Sequence, residues 1–228
     1  IFTAQFFGKG DNEGIRYSFR YKIIISVCLA LVAIGIFCVF DENLISLYLH
    51  DVEAGADIAE TLGFAKQYMA LMLIGLIPFA ISQAFSGTMR ETGDTFAPMV
   101  IGLTAVVTNC VFNYLLIFGK IGFPVLGVRG AAIATVISRF VECILVIAYM
   151  LIRKNRFSYM KGLFSSLYIP ADTFAAITRK GMPLLLNEVL WSMSMSTLGI
   201  AYSLHGITVV AAYNISSTVT NLFNMAFL

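Results

Sequence analysis

Charge is what this sequence has least of. Only 12% of its 228 residues are Asp, Glu, Lys or Arg, about half of the roughly 25% usual in soluble domains. The net charge is +2, which supplies no broad basic field for nucleic acid. Cysteine is sparse too. Cys28, Cys38, Cys110 and Cys143 all fall inside apolar runs, with no CxxC pair and no neighbouring His. That excludes a disulfide framework or a zinc site and leaves four small hydrophobes. Histidine is rarer still. His50 and His205 lie at opposite ends of different elements, so an intramembrane haem pair is not expected. No redox ligand set is visible and no cofactor is expected.

Apolar length is what remains. Hydrophobic residues make up 59% of the chain and the mean hydropathy is +0.85. A bilayer core of about 30 Å needs roughly 20 apolar residues in a helix. Six charge-poor runs meet that need: 23–40, 67–89, 95–119, 130–152, 181–204 and 206–228. None alternates with the period of a strand, and lipid leaves only helices or closed barrels. The expected fold class is therefore all-α, a polytopic helical membrane protein. The apolar stub 1–7 is too short to span and reads as the last turns of an earlier helix. The first residue is Ile1 and the last run is still apolar where it stops, so a piece of a longer protein is expected.

Basic residues give the chain a direction. Residues 8–22, 90–94 and 153–180 fall on one side of the membrane and carry eleven Lys and Arg. Residues 41–66 and 120–129 fall on the other side with His205 and carry three: Lys66, Lys120 and Arg129. The first set is expected to be cytoplasmic. The outer 41–66 connection holds Asp41, Glu42, Asp51, Glu53, Asp57 and Glu60, but acids count little in that rule. The longest cytoplasmic stretch, 153–180, mixes Arg153, Lys154, Arg156 and Lys161 with Phe157, Tyr159, Leu163, Leu167 and Tyr168. That pattern suits a segment in the membrane interface. Pro170 breaks it, Asp172 is placed to cap a new helix, and a boundary between two bundles is expected here.

Polar groups inside the runs are costly and therefore informative. Glu188 has no Lys or Arg within one helical turn and shares a helix face with Ser192, Ser196 and Gly199. It is a candidate for exchange of a proton or Na⁺. The bland alternative is a residue near a helix end reaching the interface, since Pro183 could mark a helix start. Asn109 and Asn113 sit at i and i+4 and share a face. They can offer carbonyl oxygens to a cation or act as glue between helices. Arg139 and Glu142, at i and i+3, read as a structural ion pair, with gating as the alternative. The last run carries Asn214, Ser216, Ser217, Thr218, Thr220, Asn221 and Asn224, too much polarity for a lipid-facing helix.

Several stretches resemble the multidrug and toxic compound extrusion (MATE) family of secondary transporters. Residues 5–11 (QFFGKGD) are similar to a Q-x-x-G-x-x-D at the end of its second helix. Residues 90–99 (RETGDTFAPM) are similar to the loop between helices four and five. Residues 109–119, 122–127 and 130–135 continue the likeness, then Gly181-Met-Pro183, Asn187-Glu188 and 210–215 (VAAYNI). The resemblance implies twelve helices in two six-helix lobes around a central cavity. By that map residues 1–152 are the tail of helix two and helices three to six, 153–180 the inter-lobe link, and 181–228 the first two helices of the second lobe.

The resemblance further implies an antiporter, not an enzyme, in the inner (plasma) membrane. It would export organic, often cationic drugs in exchange for Na⁺ or H⁺, with no obligate protein partner. Asn109 and Asn113 match positions lining the first-lobe cation site. Many members carry Asp at the second of these, where this chain has Asn113. Thr135 is a further match. Asn187 and Glu188 resemble the second-lobe site at the start of helix seven. Na⁺, if bound, is expected at Glu188 or Asn109, and no other metal is expected. Two rivals stand beside this reading. A lipid-linked oligosaccharide flippase of the same superfamily would be expected to carry a strongly basic cavity, and Arg139, beside Glu142, is the lone basic residue within the complete spans. A non-transporting membrane scaffold subunit would not need Glu188 to face a cavity.

Overall fold

The computed structural model describes residues 2–46, 58–164, 166–204 and 206–227. They form seven α-helices, with no strand among the described residues: α1 (Phe2–Gly8), α2 (Asn12–Ser46), α3 (Ile58–Glu91), α4 (Phe96–Phe118), α5 (Val128–Ile152), α6 (Ala171–Ser203) and α7 (Ile207–Phe227). A single 3-10 turn, Ser158–Met160, lies between α5 and α6. The fold is that of an all-α polytopic membrane protein. His50, His205, Asp51, Glu53 and Asp57 lie outside the described residues, as do the side chains of Glu42, Glu60, Asn221 and Asn224.

Five helical stretches are long and apolar enough to cross a bilayer: Asn12–Asp41, Leu62–Glu91, Phe96–Phe118, Val128–Ile152 and Ala171–Ser203. The sixth expected run does form a helix, α7, but it is not among those five. Its Asn, Ser and Thr residues keep the helix while lowering its hydropathy. Three helices also start earlier than hydropathy suggests, α3 among them at Ile58. In α2 the basic residues Arg16, Arg20 and Lys22 end the apolar run without ending the helix, because Arg and Lys are good helix formers. The break instead comes at the far end of that run, where Phe40 leaves helical geometry (φ −115°, ψ 20°). In α6 the helix starts at Ala171, with Asp172 in its first turn, and passes through Pro183. The helix start expected at Asp172 is thus borne out, and the alternative start near Pro183 is not. Membrane helices tolerate such prolines where the freed backbone groups find other partners.

The chain divides into two compact units. The first comprises Ile1–Val39 and Gln67–Lys180, the second Phe40–Lys66 and Gly181–Leu228. Inside the second, Tyr202 of α6 and Tyr213 of α7 bring their rings to 4.8 Å, and Lys66 reaches Asp41 at 3.9 Å.

The core of the first unit gathers Ile15 and Phe19 of α2, Phe85 and Met89 of α3, Ala97 and Ile101 of α4, and Val146 and Met150 of α5. Phe19 meets Phe85 edge-on at 4.8 Å. The same core includes Phe157, Tyr159, Met160 and Leu163. The reading of 153–180 as a segment lying in the membrane interface is thus corrected in part. Its apolar and aromatic residues split: Tyr159 is 2% exposed, whereas Leu167 and Tyr168 are 66% and 68% exposed. Packing against protein satisfies the first group, and basic residues interspersed with apolar ones look the same in sequence either way. Elsewhere large apolar side chains such as Val32, Val39, Leu103 and Val106 are exposed, as expected where lipid is the solvent.

Two aspartates from the stretches quoted above do local work. Asp11 Oδ1 accepts the amides of Glu13 and Gly14, both at 3.0 Å, and so caps α2. Asp94 Oδ1 accepts the Ala97 amide at 3.3 Å at the start of α4. The α4–α5 connection sets up everything that follows. Gly119 ends α4 in the left-handed region (φ 62°), with its amide on the Leu115 carbonyl. Gly130, early in α5, then passes so close to α4 that a Cβ would meet the Leu116 carbonyl oxygen at 2.7 Å. Only glycine allows the two helices to approach this closely.

Candidate functional site

The close approach of α4 and α5 brings Asn109, Asn113 and Thr135 together. Asn109 Nδ2 donates to Thr135 Oγ1 at 3.2 Å, and Asn113 Nδ2 donates to Asn109 Oδ1 at 2.9 Å. Thr135 in turn donates to the Ala131 carbonyl at 2.9 Å. The chain of donors therefore ends inside α5. One acceptor is left over: Asn113 Oδ1 is buried and has no hydrogen-bond partner. A buried amide oxygen without a donor costs on the order of 1–3 kcal/mol, so the arrangement favours any donor or cation that can reach it.

A cavity of about 370 Å³ opens beside this cluster, lined by Asn109 and Val106 from α4 and by Thr135, Ser138, Arg139 and Glu142 from α5. Glu142 is buried, and its Oε2 lies 3.1 Å from Arg139 NH1. The ion pair read from the i,i+3 spacing thus forms, and it lines the same cavity as the amides. The Arg139 side chain is 40% exposed. Its guanidinium also lies over the Phe79 ring of α3, 4.5 Å from the centroid. A second, smaller cavity of about 190 Å³ between α3 and α5 shares Thr135 and Arg139 with the first.

Asn187 and Glu188 are not part of this cluster. Both lie mid-helix on α6, in the second unit, with exposed side chains. Among the described residues Glu188 has no hydrogen-bond or ion-pair partner. Because α6 is continuous, Glu188, Ser192, Ser196 and Gly199 do share one face. The bland alternative of a residue near a helix end loses its basis, since Glu188 stands well inside Ala171–Ser203.

A second polar cluster went unread in the sequence. Arg20 is 7% exposed and donates to three backbone carbonyls: Gly162 at 2.7 Å, Leu163 at 2.8 Å and Tyr168 at 3.0 Å. Asp94, also buried, accepts the Tyr149 hydroxyl at 3.2 Å and lies 3.6 Å from Arg156. The Thr92 and Tyr159 hydroxyls meet at 3.1 Å. Burial pushes the Tyr159 phenol up to about 12, with the nearby Asp94 charge adding to the rise and the Thr92 hydrogen bond opposing it. Lys22 pairs with Glu91 alongside. For Asp94 a signal was available, the 90–99 stretch. Arg20 had none, being one basic residue among several.

The family model described as MatE matches residues 1–115, just over half of the chain. The chain belongs to the MatE family. It is similar to a protein of Thermotoga maritima named "Probable multidrug resistance protein NorM", 34% identical over 159 residues, which are 69% of this chain and 33% of that protein. A Bacillus anthracis protein of the same name is 27% identical over 226 residues, 98% of this chain and 48% of the relative. The Bacillus subtilis "Probable multidrug resistance protein YoeA" is 25% identical over 229 residues, 99% of this chain and 47% of the relative. This MatE chain therefore spans about half, or less, of the length of the curated relatives it matches.

Proposed function

We propose that the protein carrying this chain is a secondary transporter, not an enzyme, that exports small organic cations from the cell in exchange for Na⁺ or H⁺. The MatE relatives' name, "Probable multidrug resistance protein", is consistent with that substrate class. The observation that carries the proposal is the Asn109–Asn113–Thr135 cluster: Asn109 and Thr135 line the cavity, and Asn113, one turn along α4, keeps a buried amide oxygen without a donor. In this reading the open acceptor serves a donor or cation that comes and goes.

In this reading the coupling ion meets Asn109, Asn113 and Thr135 in the first unit and Asn187 and Glu188 on α6. Alternating access follows when ion and drug bind the two facing states unequally. The protein sits in the inner membrane with residues 8–22, 90–94 and 153–180 in the cytoplasm, as the basic residues direct.

The test is efflux by the full-length protein in vesicles, with Na⁺ and pH gradients imposed separately. One gradient alone is expected to drive export. Glu188→Gln is expected to abolish gradient-driven export with expression intact. Unchanged efflux in that variant would remove Glu188 from the coupling site.

A further inference from the structure

We infer that Lys154, Lys161, Phe164, Leu167 and Tyr168 form a docking surface for anionic lipid headgroups. The three apolar side chains enter the interface and the two lysines hold the phosphates. This goes beyond the exporter reading and borrows from it only the placing of these residues at a membrane face.

The sequence sets the sign of the charge. Between Glu142 and Asp172 there is no acid, and the same stretch carries Arg153, Lys154, Arg156 and Lys161. A basic cluster directly after a membrane span attracts anionic lipid. The place is set by the helices. Both α5, which ends at Ile152, and α6, which begins at Ala171, are long and apolar enough to cross a bilayer. The residues that join them therefore lie near a bilayer surface. Two of the four basic groups already have work inside the protein. Arg156 lies 3.6 Å from Asp94, and the Arg153 guanidinium lies 5.8 Å from the Tyr149 ring centroid. The ammonium groups of Lys154 and Lys161 belong to exposed residues.

The fold sets the direction of the side chains. Phe157, Tyr159, Met160 and Leu163 are built into the core. Further along, Arg20 draws the backbone inward by donating to the carbonyls of Gly162, Leu163 and Tyr168. Against that pinned backbone, the Phe164, Leu167 and Tyr168 residues are 60%, 66% and 68% exposed. The Tyr168 amide is also tied locally, donating to Ser166 Oγ at 3.0 Å. The surface is thus held in shape by bonds made on its inner side. Large apolar side chains beside ammonium groups match the boundary between acyl chain and headgroup, and tyrosine suits that boundary with one apolar end and one wet end. A zwitterionic lipid brings its own cation to compete with the lysines. An anionic one leaves its phosphate charge to them, and that complementarity selects the lipid class.

The experiment uses the full-length protein in lipid nanodiscs, with Leu167→Trp as the reporter and brominated lipids as the probes. Quenching is read as the difference from the unsubstituted protein, because Trp191 also emits. Brominated phosphatidylglycerol is expected to quench the reporter more than brominated phosphatidylcholine, and competition between the two gives their relative binding constant. Lys154→Gln/Lys161→Gln is expected to lower that constant by about fivefold for each lysine removed. Lys154→Arg/Lys161→Arg is expected to retain it. Raising the salt from about 0.05 M to about 0.5 M is expected to erode it, since headgroup attraction falls off within a Debye length. A reporter that neither lipid quenches shows that water or the rest of the chain meets this face, and overturns the inference. Equal quenching by the two lipids overturns it as well, as does a preference that survives the loss of both lysines. The substituted residues are all exposed, so the fold is not at stake. No drug and no ion gradient enters the measurement, so either result leaves the exporter reading to its own vesicle assay.

Discussion

The first unit holds two polar clusters of similar size and opposite character. At one, Arg20 spends its guanidinium on three backbone carbonyls, Asp94 serves an amide, a phenol and a guanidinium, and Thr92 and Tyr159 satisfy each other. At the other, Asn113 Oδ1 lacks a donor, Glu142 engages one oxygen, and Arg139 is shared between a carboxylate and a ring. Both are built from residue types that are expensive inside a membrane protein. The difference lies in closure. Where every group has a fixed partner, polarity ties chain segments together. Where partners are left open beside a cavity, the same chemistry is available to a visitor.

That contrast can be broken most severely at Arg20. Arg20→Ala removes charge-assisted hydrogen bonds from three backbone carbonyls, Leu163 among them in the core, and is expected to cost about 3–5 kcal/mol, since each such bond is worth about 1.5–3 kcal/mol. Thermal unfolding of the full-length protein in detergent measures it. A loss no larger than that of a surface substitution would show that the closed cluster does not tie the 157–168 segment to α2. A smaller and different effect is expected at Asn109. Asn109→Ala removes two hydrogen bonds of about 1 kcal/mol each at most, yet it should weaken ion coupling strongly in the vesicle assay. If only thermal stability falls, the amides are glue and the two clusters are alike after all. The smallest effect is confined to alkaline pH. The folded-state phenol of Tyr159 is raised to about 12 from its ordinary value of 10.0. The folded protein therefore holds that proton longer than the unfolded chain, and the associated stability is present below pH 10 and fades as pH rises towards 12. Subtracting the unfolding profile of Tyr159→Phe isolates this loss. Parallel profiles for the two proteins over that window would mean the phenol is not sealed.

The sequence conveyed these two clusters unequally, for physical reasons. The long helices were legible because a bilayer demands continuous apolar length. The Asn109–Asn113 pair was legible because i,i+4 spacing fixes a shared face, and Arg139–Glu142 because i,i+3 lets opposite charges meet. Thr135 came only through the resemblance, since a threonine in an apolar helix carries no pattern of its own. The starts of α2 and α3 were hidden because hydropathy tracks lipid contact, not helical geometry, whereas Asp172 after Pro170 marked the start of α6. Arg20 was counted as a topological charge, and nothing local marks it as the residue that engages carbonyls some 142 to 148 positions away. Phe157 and Tyr159 were equally opaque, because an aromatic residue beside lysine reads the same against headgroups as against a protein core. Glu188 was legible as an isolated charge, and its place inside α6 followed only when the helix proved continuous through Pro183.

The missing side chain at Gly130 reaches further than packing. The Leu116 carbonyl would stand 2.7 Å from a Cβ there, and Asn113 and Thr135 lie just beyond that contact on either helix. The spacing of the amide cluster is thus gauged by a residue that contributes no chemistry to it. Such a gauge has no fine adjustment. The smallest change open to it is a whole methyl group, which would part the helices and stretch the 3.2 Å Asn109–Thr135 bond. Any change in what the cavity can hold therefore has to come from the side chains around it, because the distance between its walls is held at one setting.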